Sequence, residues 1–381
     1  MTSITGALLL FDVLGLAAGV WLALRVLGSF RPLRDLGWLG LFGLLLATVG
    51  WLVGTGAFHD RFAVLNLWCH AIFVVLGPVL LLRAVVVLRA GERGDRGWGV
   101  LGCVVAVVVL GVGGFAYFVE PYRLQVRHYR LESARLAGIP GPIRVVVLAD
   151  LQTDEVGAFE REVFARVDAL RPDLLLLPGD WLQLPLGDPG FEAQRAKLVE
   201  LFRGLEHPPR YGMYAVDGDV EEARQVLRGT GVTILQDQCA PCDPVSRLQV
   251  FGLRRWSSRQ PAGPGSAWDE AFFKAQARFD GLTILLGHSP DFARGFFEGV
   301  STEVLAVAGH THGGQVVVPF YGPPITLSDL PRDVAAGGFF RFGDAALCVS
   351  RGVGMERAAA PRLRFLCPPE LVVIDLTAPG P

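Results

Sequence analysis

Charge is scarce in this chain. Of 381 residues, 35 are Lys or Arg and 37 are Asp or Glu, so 19% are charged, and most of the basic ones are arginine. There is no basic block of the kind that tracks nucleic-acid phosphates, and a formal net charge of −2 offers a polyanion no field to follow. No nucleic-acid partner is therefore expected, and no protein partner is evident. No Lys or Arg precedes Arg25, so the first apolar run lacks the basic flank of a signal peptide and reads as a retained helix. No internal repeat is apparent. Six cysteines are present. Cys69 and Cys103 fall inside apolar runs and read as small core residues. Cys239 and Cys242 form a C-A-P-C step with no second ligand pair nearby, which argues against zinc. Four cysteines permit three pairings, and a disulfide is expected only if that part lies outside the cytoplasm.

What is abundant is apolar. Hydrophobic residues make up 51% of the chain, and the mean hydropathy is +0.41. That exceeds the needs of an ordinary soluble enzyme. The excess lies in four runs, Gly6–Gly28, Leu36–Phe58, Phe62–Leu88 and Trp98–Val119, each near the ~20 residues that cross a bilayer. Buried core helices of a soluble domain would not come four in succession with such short connectors. We expect a membrane domain over residues 1–119 and a second domain over 120–381. Arg31 and Arg34 lie in the first connector and Arg89, Arg93 and Arg96 in the third, against Arg61 alone in the second. Arginine-rich connectors stay cytoplasmic, which predicts a multi-pass cell-membrane protein whose C-terminal domain is extracytoplasmic. A transporter would need an intramembrane polar path. Asn66 and His70, one helical turn apart, are the only foothold, and such residues more often bond between helices.

From about Pro121 the pattern changes to short apolar runs alternating with helix-like segments. Ile143–Ala149, Leu174–Leu177, Tyr211–Val216, Leu282–Leu286 and Val304–Ala308 read as strands, and Phe159–Leu170 reads as a helix. Such alternation predicts an α/β sheet buried on both faces. The informative feature is what ends each strand. Asp150, Asp180, Asp219, His288 and His310 do so in turn, with His312 two residues on. A strand-end Asp is often only a cap or turn former. Carboxylates and imidazoles delivered together to one sheet edge are different, because they form a donor set for Mn, Fe, Zn or Mg. Gly179, Gly218, Gly287 and Gly309 each precede a member of the set, where a sharp turn would aim the side chain.

These segments, ADLQTD, PGD, DGDVE, GHSPD and AGHTHGGQ, resemble the motifs of the calcineurin-like metallophosphoesterases, in the branch attached to membrane helices. Ala308–Gln315 is the most specific of them. Ser350–Gly354 and Cys367–Leu376 also resemble that branch, so the likeness covers about Glu120–Leu376. It implies a four-layer αββα sandwich preceded by four transmembrane helices. It also implies two divalent metal ions, one held by Asp150, Gln152, Asp180 and His312, the other by Asp180, Asp219, His288 and His310. Water activated by the pair would attack phosphorus. Asp180, Asp219 and Glu221 are the implied catalytic positions.

Three departures qualify the likeness. Gln152 stands where the pattern has a ligating His, and an amide oxygen is the weaker ligand for Zn or Fe. Asp154 is a possible substitute. Asp219 replaces a ligating Asn and adds a negative charge. Val220 replaces the His that would protonate the leaving group. The expectation is therefore a phosphoester hydrolase of reduced activity on a phosphorylated small molecule or lipid head group. The alternative is a metal-binding pseudoenzyme that senses a phosphorylated ligand.

Overall fold

The computed structural model describes residues 2–26, 31–90, 93–139, 141–184, 187–220, 222–242, 247–263, 266, 268–297, 299, 302–356 and 359–379. The side chains of Arg25 and Arg93 and all of Glu221 lie outside the described residues. The chain divides into two units, Met1–Val119 with Glu356–Leu363, and Glu120–Met355 with Arg364–Pro381. A short return segment thus groups with the first unit, which no hydropathy reading of the sequence anticipates.

The first unit is helical: α1 (Thr2–Trp21), α2 (Pro32–Gly56), α3 (Arg61–Cys69), α4 (Gly77–Ala90) and α5 (Arg96–Phe118). A π-helical stretch, His70–Leu76, joins α3 to α4. Four continuous helical spans, Ile4–Leu24, Pro32–Gly56, Arg61–Arg89 and Arg96–Tyr122, are long and apolar enough to cross a membrane. Their outward leucines, valines and tryptophans are widely exposed, as a lipid-facing surface requires. Inside, Phe11, Phe42, Leu46, Leu67 and Val75 form the core.

Several charged and polar side chains within the unit pair with one another or with the backbone. Arg83 of α4 donates to Asp35 of α2 through Nη2 at 2.6 Å and Nε at 3.0 Å, and both side chains are buried. His70 meets the Asp12 carboxylate of α1 at 2.8 Å, so it is an interhelical partner, as the sequence suggests. Asn66 instead donates to the backbone oxygen of Ala359, at 3.1 Å, in the return segment.

The second unit opens with β1 (Gln125–Glu132) and continues through β2 (Ile143–Val147), β3 (Leu174–Leu177), β4 (Met213–Ala215), β5 (Thr233–Ile234), β6 (Gln238–Pro241), β7 (Leu248–Gly252), β8 (Leu282–Leu286), β9 (Val304–Ala308), β10 (Gly338–Phe342), β11 (Ala345–Val349) and β12 (Glu370–Thr377). They form two six-stranded sheets, in the orders β1-β12-β2-β3-β4-β5 and β10-β11-β9-β8-β7-β6. Neighbours β2 to β5 are parallel, as are β7, β8, β9 and β11, and antiparallel partners sit toward the edges.

Period-two alternation explains why these strands are apolar throughout. Val145, Val147, Leu174, Leu176, Ile284 and Leu286 point into a core shared by the two sheets. Val146, Leu175 and Leu177 point the other way, onto α6 (Ala158–Leu170) and α7 (Phe191–Arg203), with α8 (Ala223–Val226) beside them. Leu285 and Ala306 point outward from the second sheet, toward α9 (Asp269–Ala277). The result is four layers, αββα. A strand buried on both faces cannot alternate polar and apolar residues, and each fully buried Leu or Val side chain contributes about 1.5–3 kcal/mol.

All six cysteines carry free thiols. Among the described residues, neither Cys239 nor Cys242 joins a cluster of metal-type side chains.

Candidate metal centre

The two sheets contribute different chemistry. Asp150, Asp180 and Asp219 follow β2, β3 and β4 of the first sheet. His288 follows β8 of the second sheet, and His310 and His312 follow β9. All stand at the C-terminal ends of parallel strands, where loops diverge and open sheets place their sites. Two groups of donors result: Asp150, Asp180 and His288, and Asp219, His288 and His310. Within each group one atom per residue lies within 4.8 Å of the others.

His288 belongs to both groups. Its Nε2 is 3.5 Å from Asp180 Oδ2 and 3.8 Å from Asp219 Oδ2, and its Nδ1 is 3.8 Å from Asp150 Oδ1. His310 Nδ1 is 3.2 Å from Asp219 Oδ2. Asp180 is fixed from below by the backbone, Asp219 N donating to its Oδ1 at 2.6 Å and Val220 N at 3.2 Å. Asp150 accepts from His310 N at 2.9 Å. Gln152 and His312 are buried at the same edge, and His312 belongs to neither group. Asp154 also stays outside both.

Backbone strain concentrates here. Asp150 (φ 48), Gln152 (φ 37), Asp180 (φ 57), His310 (φ 71) and His312 (φ 48) all adopt left-handed conformations, each disfavoured for a side-chain-bearing residue and concentrated at functional sites. Sequence reading assigned the sharp turns to the preceding glycines. Of the four, only Gly179 (φ 100) has such a turn. Gly218 serves close approach instead, since a Cβ there would fall inside the Asp180 carboxylate.

Burial dominates the site's titration. It pushes the Asp150 carboxyl up to about 7, with the Asp180 charge adding to it and His288 opposing. Burial also raises Asp180. Burial works against charge on His288, yet the Asp180, Asp150 and Asp219 carboxylates outweigh it and raise that imidazole. His310 is pushed down to about 3 by burial and by His288. His312 is lowered by burial and by Arg364. Asp219 is less buried, and although burial raises it, His288, His310 and Arg259 hold it below the carboxylate norm.

A divalent cation fits these residues. Three acids crowd together, and both ring nitrogens of His312 are buried with no hydrogen-bond partner among the described residues. Native proteins rarely leave such groups unsatisfied without an ion or water to meet them. Binding must displace the proton held by Asp150. The apparent metal affinity is therefore expected to fall as pH drops below about 7, by up to about tenfold per unit for each proton displaced. Titration calorimetry in buffers of different ionisation enthalpy would read that release. A pH-independent affinity between pH 5 and 8 would contradict it.

Two residues were not anticipated. Arg259, in the loop after β7, places its guanidinium against Asp219 Oδ2, with Nη2 3.4 Å from His310 Nε2. The extra carboxylate at Asp219 was a signal that a compensating cation was needed, though not of its position. Arg364 is fully buried behind the site. It donates to the backbone oxygens of Arg351 (2.8 Å), Gly354 (3.0 Å) and Cys367 (3.0 Å). Gly354 N in turn donates to Asp150 O at 2.7 Å. Arg364→Met orphans three buried carbonyls at about 1–3 kcal/mol each. Thermal unfolding should show a loss of about 3 kcal/mol or more, and a Tm within a degree of wild type would refute the hub role.

Against known proteins, no family model matches the chain. The uncharacterized metallophosphoesterase YkuE of Bacillus subtilis is 26% identical over 295 residues, 73% of this chain and 95% of that protein. Phosphodiesterase YaeI of Escherichia coli is 26% identical over 282 residues, 69% of this chain and 92% of its own length. Over most of its length the chain is thus similar to proteins named as a metallophosphoesterase and a phosphodiesterase. A Danio rerio transmembrane protein with a metallophosphoesterase domain is 23% identical over 265 residues, 66% of this chain and 57% of that protein. That relative is named as transmembrane, and this chain likewise joins four apolar helices to an α/β unit.

Proposed function

We propose that this protein is a membrane-anchored hydrolase that cleaves a phosphate ester or pyrophosphate bond of a phosphorylated small molecule or lipid head group, with its C-terminal domain outside the cytoplasm. The observation that carries the reading is the convergence of Asp150, Asp180 and Asp219 from one sheet with His288 and His310 from the other. The names of YkuE and YaeI support the reaction class.

Asp150, Gln152, Asp180 and His312 would hold one cation, and Asp180, Asp219, His288 and His310 the other. Such cations polarise phosphoryl oxygens and make water nucleophilic at neutral pH. The protein's own part is positional. Backbone amides fix Asp180, buried strands fix the imidazoles, and the left-handed turns hold the donors at one edge. Val220 has no proton to give, so the leaving group must depart unprotonated or take its proton from solvent. A pyrophosphate bond, whose leaving oxygen is weakly basic, suits that site better than an alkyl ester.

The purified full-length protein, metal-loaded in detergent, should hydrolyse nitrophenyl phosphodiesters or monoesters and stop on chelation. Metal bound with no turnover on either class would favour the phosphate-sensing alternative. An alkaline phosphatase reporter fused near the C-terminus should be active. An inactive one would place the domain in the cytoplasm.

A further inference from the structure

We propose that Arg259 is a substrate-phosphate-binding residue of this site, and that it confines the site to bonds whose leaving oxygen is stable as an anion. The inference rests on the phosphoesterase reading above. Asp219 is the most open of the three carboxylates, its side chain 28% exposed against 2% for Asp180. Arg259 sits on it with a side chain 37% exposed. The guanidinium therefore lies on the solvent side of the donor groups, where a phosphoryl group would enter.

The geometry leaves it free to bind. Its side-chain contacts to Asp219 and to His310 both use Nη2, so the Nη1 and Nε donors remain for a ligand. A planar fork with several donors matches two phosphoryl oxygens, and one anchored edge fixes its orientation in advance. Charge gives a second argument. Asp219 adds a negative charge that would repel substrate, and Arg259 cancels it at the point of contact.

The same residue sets a chemical limit. Guanidinium groups are not deprotonated in proteins, so Arg259 stabilises a departing oxygen without protonating it. Water adds to phosphorus through its oxygen and loses a proton to solvent. The bond from phosphorus to the leaving group breaks, and the leaving oxygen keeps the electron pair. With Val220 adjacent and aprotic, diphosphates and aryl esters fit this balance and alkyl esters do not.

The test uses metal-loaded, full-length wild type, Arg259→Gln and Arg259→Lys, with inorganic phosphate and bis(4-nitrophenyl) phosphate as probes. Arg259→Gln should weaken phosphate binding by about 10–100-fold and raise KM for the diester, at unchanged metal content. Arg259→Lys should recover part of the loss, keeping charge but not the fork. Wild-type phosphate affinity in Arg259→Gln overturns the proposal, as does wild type that binds no phosphate. A gain of metal and of activity in Arg259→Gln would overturn it too, because the guanidinium would then be competing with a cation. If wild type binds phosphate through Arg259 yet hydrolyses nothing, the hydrolase reading fails and this assignment stands.

Discussion

His288→Ala is expected to lose the cation held with Asp180, Asp219 and His310, to weaken the one beside Asp150 by changing the charge around it, and to lower hydrolysis by about 10³-fold or more. Among the described residues no other side chain belongs to both groups. Its ring lies within 3.8 Å of all three carboxylates. Its orientation is set by the structure, since Nδ1 pairs with the Pro178 backbone oxygen at 2.7 Å and Nε2 faces Asp180 and Asp219. A backbone acceptor on one nitrogen fixes the tautomer and aims the other at the ligand position. Removing the imidazole also leaves three acids with less positive charge among them, so the carboxyls hold their protons more firmly and cations compete less well. Elemental analysis alongside kcat/KM is the deciding measurement. A variant that keeps its full metal content while losing activity would show that His288 acts on substrate rather than as a ligand. A variant that keeps both would remove His288 from the centre altogether. By comparison, His310→Ala strips only the Asp219 group and should spare metal at Asp150 and Asp180.

Much of this site was legible because strands buried on both faces are nearly uniform in composition. In Leu174–Leu177 nothing but Leu appears, so the first polar residue after the turn, Asp180, stands out. The same holds for Asp150 after Val145–Ala149 and for His310 after Val304–Ala308. The four apolar spans were legible for a similar reason, as lipid on the outside and helix on the inside both select against charge. What was not legible follows from the opposite condition. β1 reads QVRHYRLE, and β10 reads GFFRF with an exposed arginine. Both are edge strands half open to solvent, so neither shows a buried run. β11, AALCV, is fully buried, but it follows a tight hairpin from β10 and gives no separate signal. Arg259 carries no motif, because its role comes from a fold that brings the loop after β7 over β4's end. The Asp35–Arg83 pair is similar: each residue alone looks like a flaw in an apolar helix, and only the packing of α2 on α4 makes them partners. The left-handed turns at Asp150, Asp180 and His310 are invisible to local propensity, which expects glycine at such turns; at Asp180 and His310 the glycine stands one residue early, and at Asp150 there is none.

Val220→His is expected to raise turnover of alkyl phosphoesters by on the order of 10²–10⁴-fold, the range over which a positioned general acid acts, while changing nitrophenyl esters little. Val220 follows Asp219 directly, and its amide donates to Asp180 at 3.2 Å. A side chain at this position therefore springs from backbone that touches the donor cluster itself. The half-buried valine leaves an imidazole room to reach toward solvent and the leaving oxygen. The two substrate classes separate the causes. A nitrophenolate leaves without a proton, so a new acid has nothing to offer it. An alkoxide needs one, so the gain appears there, and it should fall away above the pKa of the new histidine as its proton is lost. Gln152→His in the same chain would test the other departure, which affects metal retention rather than proton supply, so its effect should appear in metal content and be shared by both substrate classes. Equal gains from Val220→His on alkyl and nitrophenyl esters would mean that the imidazole acts through the metals or through Arg259. An unmodified protein that already cleaves alkyl phosphoesters at ordinary enzyme rates would mean that a proton donor other than residue 220 is in place, and the restriction to weakly basic leaving groups would fall with it.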